Sequence, residues 1–110
     1  MTGEPSFFEI GVPDAERAER FYSALFGWRT HRTGGGARLE TAGIRGGVHP
    51  GDSSATIGLY FRVDDIEAAA ERVRELGGTA GDPGEPSPGF GRFTACRDDQ
   101  GVYFGLHQPE

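Results

Sequence analysis

The sequence predicts an α+β fold made of two tandem βαβββ modules. Three observations carry this. An alternating segment, an acidic cap, an amphipathic helix and a glycine stop occur in that order twice. The second copy follows the first at a fixed offset. Short alternating segments separated by glycine-rich turns then follow each helix. At an offset of 51 residues Val12 meets Val63, Asp14 meets Asp65, Glu16 meets Glu67, Ala18 meets Ala69, Leu25 meets Leu76 and Gly27 meets Gly78. A period near 50 residues in a chain of 110 signals two copies of one supersecondary unit. The chain is read as one domain, residues 1–110, with modules at 5–50 and 56–108.

Residues 7–12 predict the first strand. Phe8, Ile10 and Val12 share one face, and Phe7, Glu9 and Gly11 share the other. Asp14 can accept the free N–H groups of a first helical turn. Ala18, Phe21, Tyr22 and Leu25 then form the expected inward stripe, while Arg17 and Arg20 fall on the solvated side. Gly27 ends the helix. A strand over 28–32, a turn at 34–36 and a hairpin of 37–41 with 44–48 complete the first module. Residues 50–54 have the composition of a linker.

The second module opens with a strand over 57–63. The repeat assigns Leu59, Phe61 and Val63 to the face of Phe8, Ile10 and Val12, and Gly58, Tyr60 and Arg62 to the opposite face. The second helix should bury Ile66, Ala69, Ala70, Val73 and Leu76, leaving Glu67, Glu71, Arg72, Arg74 and Glu75 in water. A short strand begins at Thr79. The proline- and glycine-rich stretch 81–91 reads as a surface loop, and 93–97 with 102–107 as a final hairpin turning through 98–101.

Composition narrows the function classes. The formal net charge is −6, with no basic stripe to neutralise phosphates, so nucleic acid is not an expected partner. No apolar run is long enough to span a membrane and no secretory leader is seen, so no membrane partner is expected. A single cysteine, Cys96, rules out an internal disulfide and suits the cytoplasm; it reads as a small strand residue.

The residues Phe8-Glu9-Ile10-Gly11-Val12-Pro13-Asp14, Ala18, Phe21-Tyr22 and Phe26-Gly27-Trp28 resemble the vicinal-oxygen-chelate superfamily, the glyoxalase, bleomycin-resistance and extradiol-dioxygenase group. In the second half the resemblance rests on residues 61–66, Leu76-Gly77-Gly78, Pro88-Gly89, Gly91-Arg92 and residues 98–106. It implies two βαβββ modules forming a cupped, incomplete barrel, commonly as a homodimer. Metal-dependent members resemble one another in placing His, Glu or Gln in the cup. One ligand position lies seven residues before the Asp of the first strand–helix junction, which is Phe7 here; its counterpart before Asp65 is Gly58, and a third, in the last strand, is Gly105. None offers a side-chain lone pair, so no metal and no other cofactor is expected. Glu9, His49 and His107 could rebuild an atypical site only in a distorted cup. More simply, Glu9 can pair with Arg62, His49 reads as a loop residue, and His107 as an exposed strand end.

Three functions follow as expectations. The first is metal-independent binding of a small aromatic or amphipathic molecule, for resistance or sequestration. Phe7, Trp28, Tyr60, Phe90 and Tyr103 would supply aromatic walls, and Glu9 or Arg62 would orient a polar group. Trp28 can equally be core. The second is a metal-independent isomerase, epimerase, cyclase or lyase. Glu9 would be its general base, and Tyr60 or Arg62 would stabilise the developing oxyanion. The third is an association protein without a working pocket, pairing through an open sheet edge. The residues leave open whether the chain is an enzyme.

Overall fold

The computed structural model describes residues 3–110. They form two compact units: residues 7–58, and residues 59–110 together with the described residues up to Ser6. Ten elements occur in the order β1 (Pro5–Gly11), α1 (Ala15–Phe26), β2 (Arg29–Arg32), β3 (Ala37–Glu40), β4 (Arg45–His49), β5 (Thr56–Arg62), α2 (Ile66–Glu75), β6 (Thr79–Ala80), β7 (Arg92–Arg97) and β8 (Tyr103–Gln108). The observed class is the α+β expected, and βαβββ occurs twice.

The same wiring recurs in both units. In the first, β2 pairs antiparallel with β3, β3 antiparallel with β4, and β4 parallel with β1. In the second, β6 pairs antiparallel with β7, β7 antiparallel with β8, and β8 parallel with β5. A parallel neighbour cannot be reached by a tight hairpin, so each chain must cross over through its helix and two further strands. Register repeats as well. Glu9 stands opposite Gly47, and its 51-residue counterpart Tyr60 stands opposite Gly105. Gly11 stands opposite His49, and Arg62 opposite His107.

The helix starts follow from their caps. The Asp14 carboxylate accepts from the Arg17 N–H at 3.2 Å, and the Asp65 carboxylate from the Ala68 N–H at 3.1 Å. Gly27 closes α1 in the left-handed region at φ 72°, donating its N–H to the Ser23 carbonyl at 2.8 Å. Only glycine takes that conformation without strain from a Cβ. After α2, Gly78 donates to the Val73 carbonyl at 3.0 Å.

Each unit has its own apolar core. Ile10, Ala18, Ala37, Leu39 and Val48 form one, flanked by Phe8, Val12, Ala15, Tyr22 and Trp28. Ile66, Ala70, Cys96 and Leu106 form the other, flanked by Val63, Ala69, Val73, Ala80 and Phe104. Strand parity therefore holds: Phe8, Ile10 and Val12 lie together on the helix side. The helix stripes are narrower than periodicity predicted. Phe21 and Leu25 of α1 are 62% and 58% exposed, and Leu76 after α2 is 61% exposed. The bases of the stripes, Ala15, Ala18 and Tyr22 in α1, meet the core, whereas the flanking apolar positions overhang it. Glu19 is instead buried in α1, its carboxylate 3.7 Å from the Arg32 guanidinium. On α2 the solvated face is as expected, with Arg74 and Glu71 paired at 3.1 Å.

Replacing either cap, Asp14→Ala or Asp65→Ala, should cost about 1 kcal/mol. Urea unfolding should show this as a lower midpoint with an unchanged slope.

Candidate functional site

In the first unit the sheet face opposite the helix carries Glu9. The chain after β4 folds back over the end of β1: the Val12 N–H donates to the His49 carbonyl, and the Asp52 N–H to the Val12 carbonyl, each at 3.0 Å. Gly11 leaves room for the Asp52 side chain, which a Cβ there would overlap. The return gathers Glu9, His49 and Asp52 into one electrostatic neighbourhood. Burial pushes the Glu9 carboxyl above the usual carboxylate range; His49 counteracts this and Asp52 adds to it. Asp52 goes the other way. Hydrogen bonds from the Ser54 hydroxyl at 2.6 Å and N–H at 2.9 Å hold its carboxyl below the usual range. His49, expected in a loop, is the last residue of β4 and is exposed. The parallel ladder with β1 extends that strand one residue further than the turn composition indicated.

Other first-unit candidates lie elsewhere. Phe7 is 5% exposed, its ring against Gly47. Trp28 packs on the helix side. It stacks on Phe26 at 4.8 Å and Tyr22 at 5.7 Å, and tilts onto Phe8 at 5.5 Å. Its placement is the core alternative that the sequence left open.

The second unit assembles a continuous aromatic and polar cluster. Tyr60 on β5 is 6% exposed, its hydroxyl 3.2 Å from that of Tyr103 on β8. The Tyr60 ring meets Phe93 on β7 edge-on at 5.4 Å. Phe93 in turn stacks on His107 at 4.5 Å with the planes 3° apart. The Arg97 guanidinium carbon lies 5.8 Å from the Tyr103 ring centre, where the ring's negative face favours a cation. Arg62, at the end of β5, is exposed.

His107 corrects the expectation of an exposed strand end: it is 6% exposed. Loop 81–91 covers it. That loop is held by Arg92, which donates from Nε to the Gly84 carbonyl and pairs with Glu67 at 2.7 Å. Phe90 within it places its carbonyl 2.7 Å from His107 Nε2. A carbonyl can only accept, so Nε2 carries the proton and Nδ1 presents its lone pair. That lone pair faces the Ser6 hydroxyl at 2.8 Å. Sequence reasoning missed Ser6 and Phe93. The available signal was parity, which put His107 on the face of Gly105; nothing local showed that a distant loop would close over it.

The donor set for the metal of the resembled superfamily does not fit. Phe7 and Gly58 are buried without a donor atom, and a Cβ at Gly105 would overlap the Tyr60 ring. An aromatic ring thus fills the volume that a carboxylate at Gly105 would need. Both ring nitrogens of His107 are engaged by Ser6 and Phe90. Among the described residues, no three His, Cys, Asp or Glu side chains converge to hold a metal ion.

The sequence profile of the glyoxalase-like domain matches residues 7–107. CFP32 of Mycobacterium tuberculosis, which bears a glyoxylase name, is 29% identical over 96% of this chain and 46% of its own length. DnrV of Streptomyces peucetius, named as an anthracycline biosynthesis protein, is 28% identical over 94% of this chain and 46% of its own. The chain therefore spans about half the length of these curated relatives. Methylmalonyl-CoA epimerase from Mycobacterium tuberculosis superposes with a TM-score of 0.73 at 20% identity, covering 97% of this chain and 88% of that one. This last likeness speaks for the fold. No described helix is long and apolar enough to cross a membrane.

The Glu9 carboxyl generates a pH prediction. Its folded-state pKa lies above the unfolded one, so the folded protein binds the proton more tightly. Glu9 therefore lowers stability as pH rises from the ordinary 4.5 through the raised value, and the penalty is complete above it. Glu9→Gln should raise the melting temperature at neutral pH, with the gain vanishing in acid. Thermal melts across the acidic range measure this; a gain independent of pH would contradict it.

Proposed function

The chain belongs to the glyoxalase-like domain family, and from that premise we propose that it binds a small aromatic or amphipathic molecule without a divalent metal. The observation that carries the reading is the Tyr60 ring in the space a carboxylate at Gly105 would occupy. The substitution exchanges a metal-ligating position for aromatic contact area. Tyr60, Phe93, Tyr103 and the loop residue Phe90 then supply flat apolar surface, and the paired tyrosine hydroxyls orient a polar substituent. DnrV adds support. Its name places it in anthracycline biosynthesis, and anthracyclines carry fused aromatic rings. The working form in this reading is a homodimer; the exposed Phe21, Leu25 and Phe26 of α1 favour association. A cytoplasmic location accords with the unpaired thiol of Cys96.

A second reading makes the same domain an isomerase, epimerase, cyclase or lyase. The raised Glu9 carboxyl favours it, because a base whose affinity for protons is increased by burial can abstract a proton from a weakly acidic carbon. Deuterium incorporation from heavy water into a bound compound, abolished by Glu9→Gln, would distinguish turnover from sequestration.

Native mass spectrometry of the purified protein, with metal content read from the same sample, tests the first reading. The expected result is a retained organic ligand and no stoichiometric divalent ion. Tyr60→Ala should weaken binding of that ligand by about 10- to 100-fold, the effect of losing a buried aromatic contact. A stoichiometric divalent ion retained without added metal would contradict the reading, as would undiminished binding by the folded Tyr60→Ala protein.

A further inference from the structure

We propose that Ser6 is an acyl-accepting nucleophile activated by His107, giving this domain reactivity toward activated carboxylic esters of small acyl groups. The inference rests on a nucleophile, a base and an orienting group in sequence. Ser6 Oγ lies 2.8 Å from His107 Nδ1, within reach for direct proton transfer. The Phe90 carbonyl, 2.7 Å from Nε2, fixes the tautomer that leaves Nδ1 basic. It also stabilises the imidazolium that forms when Nδ1 takes a proton, in the position a carboxylate occupies in other hydrolytic triads. Phe93, stacked 3° from parallel, holds the imidazole plane. His107 is buried, which shelters the base, while Ser6 is half-buried.

The chemistry balances without any added oxidant or metal. An Oγ lone pair forms a bond to the ester carbonyl carbon as the Oγ proton passes to Nδ1. The bond from that carbon to the alcohol oxygen breaks, and the departing oxygen takes the proton from Nδ1. Water then attacks the Ser6 ester, giving one proton to Nδ1. The carboxylic acid departs, and that proton returns to Oγ. Glu9, Tyr60 and Tyr103 take no part, whereas Phe90 and Phe93 touch His107 as well as the aromatic surface.

The test uses 4-nitrophenyl acetate as the probe with the full chain. Nitrophenolate release follows acylation, and fragmentation mass spectrometry of peptides locates the acetyl group. The expected result is one acetyl on Ser6, absent in Ser6→Ala. Acylation should be about 100-fold slower in His107→Gln, the size of effect expected for removing a general base. Circular dichroism confirms folding of each variant. If a variant fails to fold, the location of the acetyl group in the wild-type protein decides the matter. Acetyl groups confined to positions other than Ser6, no acetylation at all, or a wild-type rate in folded Ser6→Ala or His107→Gln would each overturn the proposal.

Discussion

The structure depends on one arrangement made twice: the last strand of each unit lies parallel to the first, with glycine at the point where a side chain from the first strand needs room. At Gly46 a Cβ would overlap the Phe8 ring, and at Gly105 it would overlap Tyr60. These glycines serve close approach, since neither is among the positive-φ positions. The absence of a Cβ lets a large aromatic lie flat across the neighbouring strand. In the first unit this seats Phe8 over the helix-side core. In the second it seats Tyr60 where Phe93, Tyr103 and His107 connect to it.

A carboxylate at Gly105 and an aromatic at Tyr60 compete for one volume, and this chain has the aromatic. The units then diverge in electrostatic character. In the first, burial makes the Glu9 carboxyl reluctant to ionise; Asp52 on the returning loop adds to this and His49 at the end of β4 opposes it. In the second, loop 81–91 brings a main-chain carbonyl to His107 and fixes which nitrogen holds the proton. The second depends on a loop that turns back onto a strand end.

Much of the fold was legible because it depends on local periodicity. Asp14 and Asp65 cap their helices because their short carboxylates reach the third N–H onward. The parity of Phe8, Ile10 and Val12 survived because one residue of slip would turn the entire strand over. The exposed Phe21 and Leu25 were not legible: a helical stripe says which residues are apolar, not how wide a surface awaits them. His107 shows the complementary error. Its strand ends one residue later in the chain, yet a loop from well before it in sequence buries it.

By itself, then, the sequence determined the duplicated βαβββ plan, the helix caps, the strand faces, and the lack of donor atoms at Phe7, Gly58 and Gly105. All of these follow from residue type and spacing along one element. The tertiary structure decided that Trp28 joins the core, that Tyr60 occupies the space beside Gly105, and that Ser6, His107 and Phe90 form one hydrogen-bonded series. Those facts require distant segments to meet, and contact between residues as far apart as Ser6 and His107 has no signature in the local pattern of either.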